Sequence, residues 1–190
     1  MANSEKSAFI EKSASNEKSI LTLENIQAFY GEKQVLQDIN LSFTEKSFTC
    51  LIGPNGSGKS TLLNVLCGIN NPSLDITKGK VFLKSEDIKK IPKKEIAREI
   101  SFLPQSEMYS WNHLVLDVVM MGRFPYSKGF FGYTKEDTEI AEKALAECDI
   151  LHLKDRYIFE LSGGEYQQVL IARSLCQETK ILILDEPFTH

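Results

Sequence analysis

The chain has 190 residues, of which 42% are apolar and 25% charged, and its formal net charge is −4. That balance suits one globular core with room for a small subdomain, and it supplies no broad basic field for nucleic acid. The longest apolar runs, such as Ile181–Leu184, fall far short of the roughly 20 residues a membrane helix needs, so any membrane role must come through a partner. The N-terminus lacks the apolar stretch of a secretory signal. Cys50, Cys67, Cys148 and Cys176 are widely spaced with no CxxC pair. They read as buried small hydrophobes in a reducing cytosol, not as disulfides or metal ligands.

Residues 1–18 are dominated by Ser, Lys, Glu, Ala and Asn. They cannot bury enough apolar surface to offset ordering, so a disordered tail is expected there, with the folded domain at 19–190. ILTLENIQAFY, from Ile20, alternates apolar and polar residues as a half-buried strand does, and VLQDINLSF repeats the pattern. SFTCLIG is a short apolar run ending at glycine and predicts a buried strand. Lys59 to Cys67 lacks helix breakers and predicts a helix opening directly out of a glycine loop. GKVFLKSEDI and EISFLP are further strand candidates, the second stopped by Pro104. From Trp111 to Glu160 the pattern is helical, with Ile140, Ala144, Leu145 and Cys148 on one face and Glu142, Lys143 and Glu147 on the other. GEYQQVLIARSLCQ predicts one more helix and ILILD a continuous apolar strand. This order implies a parallel α/β core with a helical insertion.

GPNGSGKST, comprising Gly53, Pro54, Asn55, Gly56, Ser57, Gly58, Lys59, Ser60 and Thr61, fits GxxxxGK[ST]. Glycines let the backbone curl so that several N–H groups converge on a polyphosphate, and the following helix adds its positive end. Lys59 can reach the β and γ phosphates and the Ser60 hydroxyl can bind Mg²⁺. At the end of ILILDEP, Asp185 and Glu186 stand where α/β sheets bind ligands. Asp185 is the candidate Mg²⁺ ligand, directly or through water, and Glu186 the candidate general base.

LSGGE, Leu161 to Glu165, lies between those two motifs. Ser162 can cap the helix that follows, and the N–H groups near Gly163 and Gly164 can receive an anion. With all three motifs in this order, the chain resembles the ATP-binding cassette family of transporter ATPases over 20–190. The resemblance implies a P-loop NTPase of α/β class with a mostly parallel core sheet, an antiparallel β subdomain and a helical subdomain at about 106–160. It implies ATP and Mg²⁺ as cofactors and a head-to-tail homodimer, with nucleotide held between the phosphate loop of one copy and LSGG of the other. It implies further partners: multi-span permease subunits and, indirectly, a substrate-binding protein, with no nucleic acid. The subunit would then be peripheral, at the cytoplasmic face of the plasma membrane. Tyr30 resembles the aromatic residue that stacks on adenine, and Gln105, in FLPQ, the glutamine that touches Mg²⁺ and the attacking water.

Within the family, the stretch from Val118 to Arg156 resembles importers of iron–siderophore, haem and cobalamin complexes. Gly122, Arg123 and Pro125, then Phe131, Gly132 and Lys135 to Asp137, carry the likeness. Gln168 stands where the family usually has a basic residue and Phe188 where it has a small hydroxyl residue. His190 is not the family's switch histidine, which lies further on. That histidine, most of the D-loop and the final strands are absent from these residues, so weak or no steady-state hydrolysis is expected of this chain by itself. A nucleotide-binding fragment without turnover is one rival reading. An ABC ATPase that works on DNA or ribosomes is another, disfavoured by the short insertion and the acidic charge. His113 and His152 lack metal-ligand spacing, and Lys89, Lys90, Lys93 and Lys94 read as a solvated face.

Overall fold

Alternation along 19–44 produces two long antiparallel strands, β2 (Ser19–Tyr30) and β3 (Lys33–Thr44). The computed structural model describes residues 9–12, 19–69, 72–105, 107, 109–127 and 132–187, the first four by backbone alone. They fall into two units, residues 1–92 and 93–190.

In the first unit β2 is central to an antiparallel sheet of order β3-β2-β5-β6, where β5 is Leu74–Leu83 and β6 is Glu86–Asp87. Leu21, Leu23, Ile26 and Ala28 of β2 are buried, with Leu36, Val81 and Leu83. The stretch read as the single strand GKVFLKSEDI is a hairpin. Lys84 and Ser85 both take positive φ, 50° and 72°, which reverses the chain with the strands' own twist.

Two expectations need correction here. Phe9–Lys12, inside the presumed disordered tail, is a strand (β1) paired antiparallel with β4 (Thr49–Ile52). The tail's average composition hid its one local pair of strand formers, Phe9 and Ile10, whose backbone groups satisfy the edge of β4. β4 itself is not fully buried: Ile52 is 56% exposed and Cys50 is exposed. β1 is its one partner strand among the described residues.

In the second unit β7 (Ile100–Leu103) and β8 (Ile181–Leu184) pair in parallel, Ile100 opposite Ile181 through Leu103 opposite Leu184. Helix α1 (Lys59–Leu66) belongs to the first unit; α2 (Lys93–Glu99), α3 (Val115–Met120), α4 (Lys135–Glu147) and α5 (Gly163–Cys176) belong to the second. α2 was not anticipated, although Pro92 followed by good helix formers around the buried Ile96 is a start signal. The helical block is also more broken than its periodicity suggested. α3 gives way to a 3-10 segment, Met121–Tyr126, containing Pro125.

Val115, Val118 and Val119 of α3, Ala144 and Leu145 of α4 and Val169, Ala172 and Cys176 of α5 form one apolar cluster. Ile140 and Cys148 pack against it, as their spacing predicts. Gly122 permits the closest approach: a Cβ there would stand 2.4 Å from the Arg173 carbonyl oxygen of α5. Gly122→Ala is therefore expected to destabilise the chain by about 2–3 kcal/mol in urea unfolding. Gly164→Ala, where a Cβ meets nothing, should change it by less than about 0.5 kcal/mol.

Candidate functional site

In the first unit, candidate residues lie where β4 hands over to α1. The chain turns after Gly53, with Ser57 N–H donating to the Pro54 carbonyl at 3.2 Å. Gly56 and Gly58 have φ of 77° and 94°, in the region open to glycine. Gly58 is the N-cap of α1 and offers no side-chain cap. Its carbonyl accepts from Leu62 N–H at 2.8 Å, the first intrahelical bond of α1. A Cβ on Gly58 would lie 3.0 Å from the Val35 carbonyl oxygen, so only glycine fits.

Lys59 Nζ donates to the Gly53 carbonyl at 2.9 Å and the Pro54 carbonyl at 3.3 Å, which folds the ammonium back across the loop. Pro54, Asn55 and Gly56 are exposed, Ser60 is half-buried and Thr61 is buried against the helix. The Ser57 hydroxyl is buried with no hydrogen-bond partner among the described residues. Tyr30 ends β2 at its hairpin, opposite Lys33 on one side and Leu74 on the other.

In the second unit, further candidate residues stand at the end of the parallel β7–β8 pair. Asp185 N–H donates to the Leu103 carbonyl at 2.9 Å, extending the β7–β8 ladder by one residue, and Asp185 is only 5% exposed. Glu186 then takes a left-handed φ of 47°. Gln105, two residues beyond β7, donates from Nε2 to Glu186 Oε2 at 2.7 Å. The structure thus brings together two residues that are 81 positions apart in the sequence.

The LSGGE turn opens α5. Ser162 is the N-cap, and Glu165 Oε2 accepts from Ser162 N–H at 2.8 Å and from its Oγ at 2.7 Å in a capping box. These bonds from Ser162 hold the Glu165 carboxyl below the usual glutamate range. A Cβ on Gly163 or Gly164 would meet nothing, so this turn presents bare backbone to its surroundings.

A cluster that the sequence reading missed secures the stretch after Gln105. Arg173 of α5 forks onto the Glu107 carboxylate, its NH2 at 2.6 Å from Oε2, and also meets the Tyr109 hydroxyl. Tyr166 OH donates to the Glu107 carbonyl at 2.9 Å. Burial works against the Arg173 charge, but Glu107 more than restores it. An arginine inside the apolar run LIARSLC was the available signal.

Burial pushes the Cys67 and Cys176 thiols up to about 12, so both behave as small hydrophobes. Among the described residues no three His, Cys, Asp or Glu side chains gather as a metal site. Ser60 in the first unit offers a hydroxyl oxygen, and Gln105 and Asp185 in the second offer amide and carboxylate oxygens, each a donor type suited to a hard cation such as Mg²⁺. Phe131, Phe188 and His190 lie outside the described residues.

A strand, glycine loop and helix in the first unit, and in the second a strand ending in Asp-Glu, are signatures of the P-loop class. Residues 36–189 match the ABC transporter family, and the chain belongs to it. It is 38% identical over 170 residues to the iron(3+)-hydroxamate import ATP-binding protein FhuC of Bacillus subtilis, covering 90% of this chain and 62% of that one. It is 39% identical over 166 residues to the ferric enterobactin transport ATP-binding protein FepC of Escherichia coli, covering 87% and 60%. Among solved structures, it is similar to the ADP conformation of MJ1267, an ATP-binding cassette of an ABC transporter. That match has a TM-score of 0.73 and 30% identity, with 90% of this chain and 70% of that one covered. The chain thus spans about three fifths of the length of these curated relatives.

The capping box makes a direct prediction. In carboxyl-resolved NMR, Glu165 should titrate below the free glutamate value of about 4.3, and Ser162→Ala should move it back towards that value. An unchanged titration in Ser162→Ala would remove the serine as the cause.

Proposed function

We propose that this chain is the ATP-binding and hydrolysing part of a subunit that energises import of iron chelates of the siderophore, haem or cobalamin type. The observation that carries the reading is the Gln105 amide on the Glu186 carboxylate at 2.7 Å, next to an Asp185 fixed to β7 through its backbone. A carboxylate oriented by a neighbouring amide at a strand end is suited to polarise a water molecule. The relatives' names support the chelate class, since FhuC and FepC act in iron(3+)-hydroxamate and ferric enterobactin transport.

In this reading the N–H groups of Gly56 to Thr61 and the positive end of α1 take up the phosphates. Lys59 exchanges its bonds to the Gly53 and Pro54 carbonyls for phosphate oxygens. Ser60, Gln105 and Asp185 would hold Mg²⁺, which would neutralise charge on the phosphates. Glu186 accepts the proton of the attacking water, and Tyr30 stacks on the adenine. Ser162, Gly163 and Gly164 of a second, head-to-tail copy close on the nucleotide with their open backbone. No helix among the described residues is long and apolar enough to cross a membrane. Permease subunits supply the crossing, a binding protein supplies the chelate, and this subunit sits at the cytoplasmic face.

Lys59→Ala should weaken MgATP binding at least about tenfold in calorimetry, since it removes the loop's one positive side chain. In the full-length protein Glu186→Gln should keep MgATP affinity and lower turnover by about 10²-fold or more. It should also accumulate an ATP-bound dimer in light scattering. Parent-like turnover would take Glu186 out of the reaction.

A further inference from the structure

Gly122, Arg123 and Pro125 are among the residues by which the chain resembles chelate importers in sequence. In the fold Arg123 is only 7% exposed and spends its donors in three directions. Nε donates to Asp137 Oδ1 at 2.9 Å. NH1 donates to the Cys176 carbonyl at 3.0 Å and to Glu178 Oε2 at 2.8 Å. The guanidinium lies over the Tyr126 ring, 4.1 Å from its centroid. Burial opposes the charge, and the bonds to Asp137 and Glu178 more than restore it.

Each partner belongs to a structural end. Asp137 is the third residue of α4 and closes its capping box, Oδ2 accepting from Thr134 N–H at 2.9 Å and Thr134 Oγ1 at 2.8 Å. Cys176 is the last residue of α5, where an unsatisfied carbonyl and a helix dipole both favour a cation. The neighbouring Gln177 carries the connection onward. Its Nε2 donates to the Ala97 carbonyl and, at 3.2 Å, to the carbonyl of Ile100, the first residue of β7. Tyr126 OH donates to the Gln177 carbonyl at 3.0 Å, and Arg98 Nε to the Pro125 carbonyl at 3.0 Å. One guanidinium therefore joins the start of α4 and the end of α5 to a network that reaches the strand preceding Gln105.

We propose that Arg123 is a positioning residue for ATP hydrolysis: it locks the helical insertion to the carboxyl end of α5, so that the Ser162–Gly164 turn keeps a fixed relation to Gln105 and Glu186. This rests on the proposed roles of those residues. α5 begins at the LSGGE turn and ends at the Arg123–Gln177 anchor, so a slack anchor lets the whole helix tilt. Lysine is a poor replacement for the arginine, because its three donors radiate from one nitrogen and do not reproduce the fixed, separated positions from which the guanidinium meets Asp137 and the Cys176 carbonyl.

The test uses the full-length protein. In Arg123→Lys, MgATP affinity and KM should stay within about twofold of the parent while kcat falls about tenfold, well below the melting temperature. Glu178→Gln, altering a side chain that is 53% exposed, should lower kcat about threefold. The double variant should be no worse than Arg123→Lys alone, because both changes loosen one anchor. Parent-like kcat in a folded Arg123→Lys, or a kcat loss matched by an equal loss of nucleotide affinity, overturns the proposal. Should Arg123→Lys not fold, Glu178→Gln decides, and an unchanged kcat there overturns it. Amide exchange at residues 163–166 separates this from the functional reading. Faster exchange in Arg123→Lys supports the anchor even if the parent shows no ATPase activity, and unchanged exchange then overturns it.

Discussion

The parallel ladder between β7 and β8 is the constraint on which the acidic end of the site depends. Four paired positions run from Ile100–Ile181 to Leu103–Leu184, and Asp185 N–H adds one more bond, to Leu103. With that bond made, Asp185 is fixed and buried, and the chain turns at Glu186 through a left-handed φ. Gln105 leaves β7 at the same end and meets Glu186. A one-residue slip in this register would turn every side chain of β8 to the opposite face and carry the carboxylates away from Gln105.

The two helices that start at sequence motifs are finished in opposite ways. α1 is capped by Gly58, which offers no side-chain oxygen and whose φ of 94° strains any other residue. α5 is capped by Ser162 and Glu165, which satisfy one another, so its start is rigid before any ligand arrives. What α5 presents outward is the bare backbone of Gly163 and Gly164. The first end relies on backbone conformation alone, whereas the second is fixed by its own side chains.

Two arginines hold the second unit together around α5. Arg173 fastens it to Glu107 and Tyr109, just after Gln105, and Arg123 fastens its last turn to α4. Both are largely buried, and both keep their charge because carboxylates lie within hydrogen-bond reach. Removing one partner of such a pair leaves an uncompensated buried charge, which is why packing here is sensitive well beyond the residues that carry the chemistry.

Much of the site was legible because its motifs are local. A glycine loop between a strand and a helix, a capped LSGGE turn and an acidic pair after an apolar strand each lie within about ten consecutive residues, and their chemistry follows from residue type and spacing. Strand alternation in 19–44 and the apolar face of α4 were likewise visible, since one-sided burial imposes its period on the sequence. The contacts made between distant segments were not. Gln105 with Glu186, Glu107 with Arg173 and Arg123 with Asp137, Cys176 and Glu178 join segments up to 81 positions apart, and no local pattern records which partner a side chain will meet. Nor did composition reveal that Phe9–Lys12 would lie along β4, because strand pairing is decided by an unsatisfied backbone edge elsewhere in the chain. The sequence by itself determined the family and the kinds of groups in the site. Tertiary structure alone decided which of those groups touch, because only folding brings remote donors and acceptors within hydrogen-bond distance.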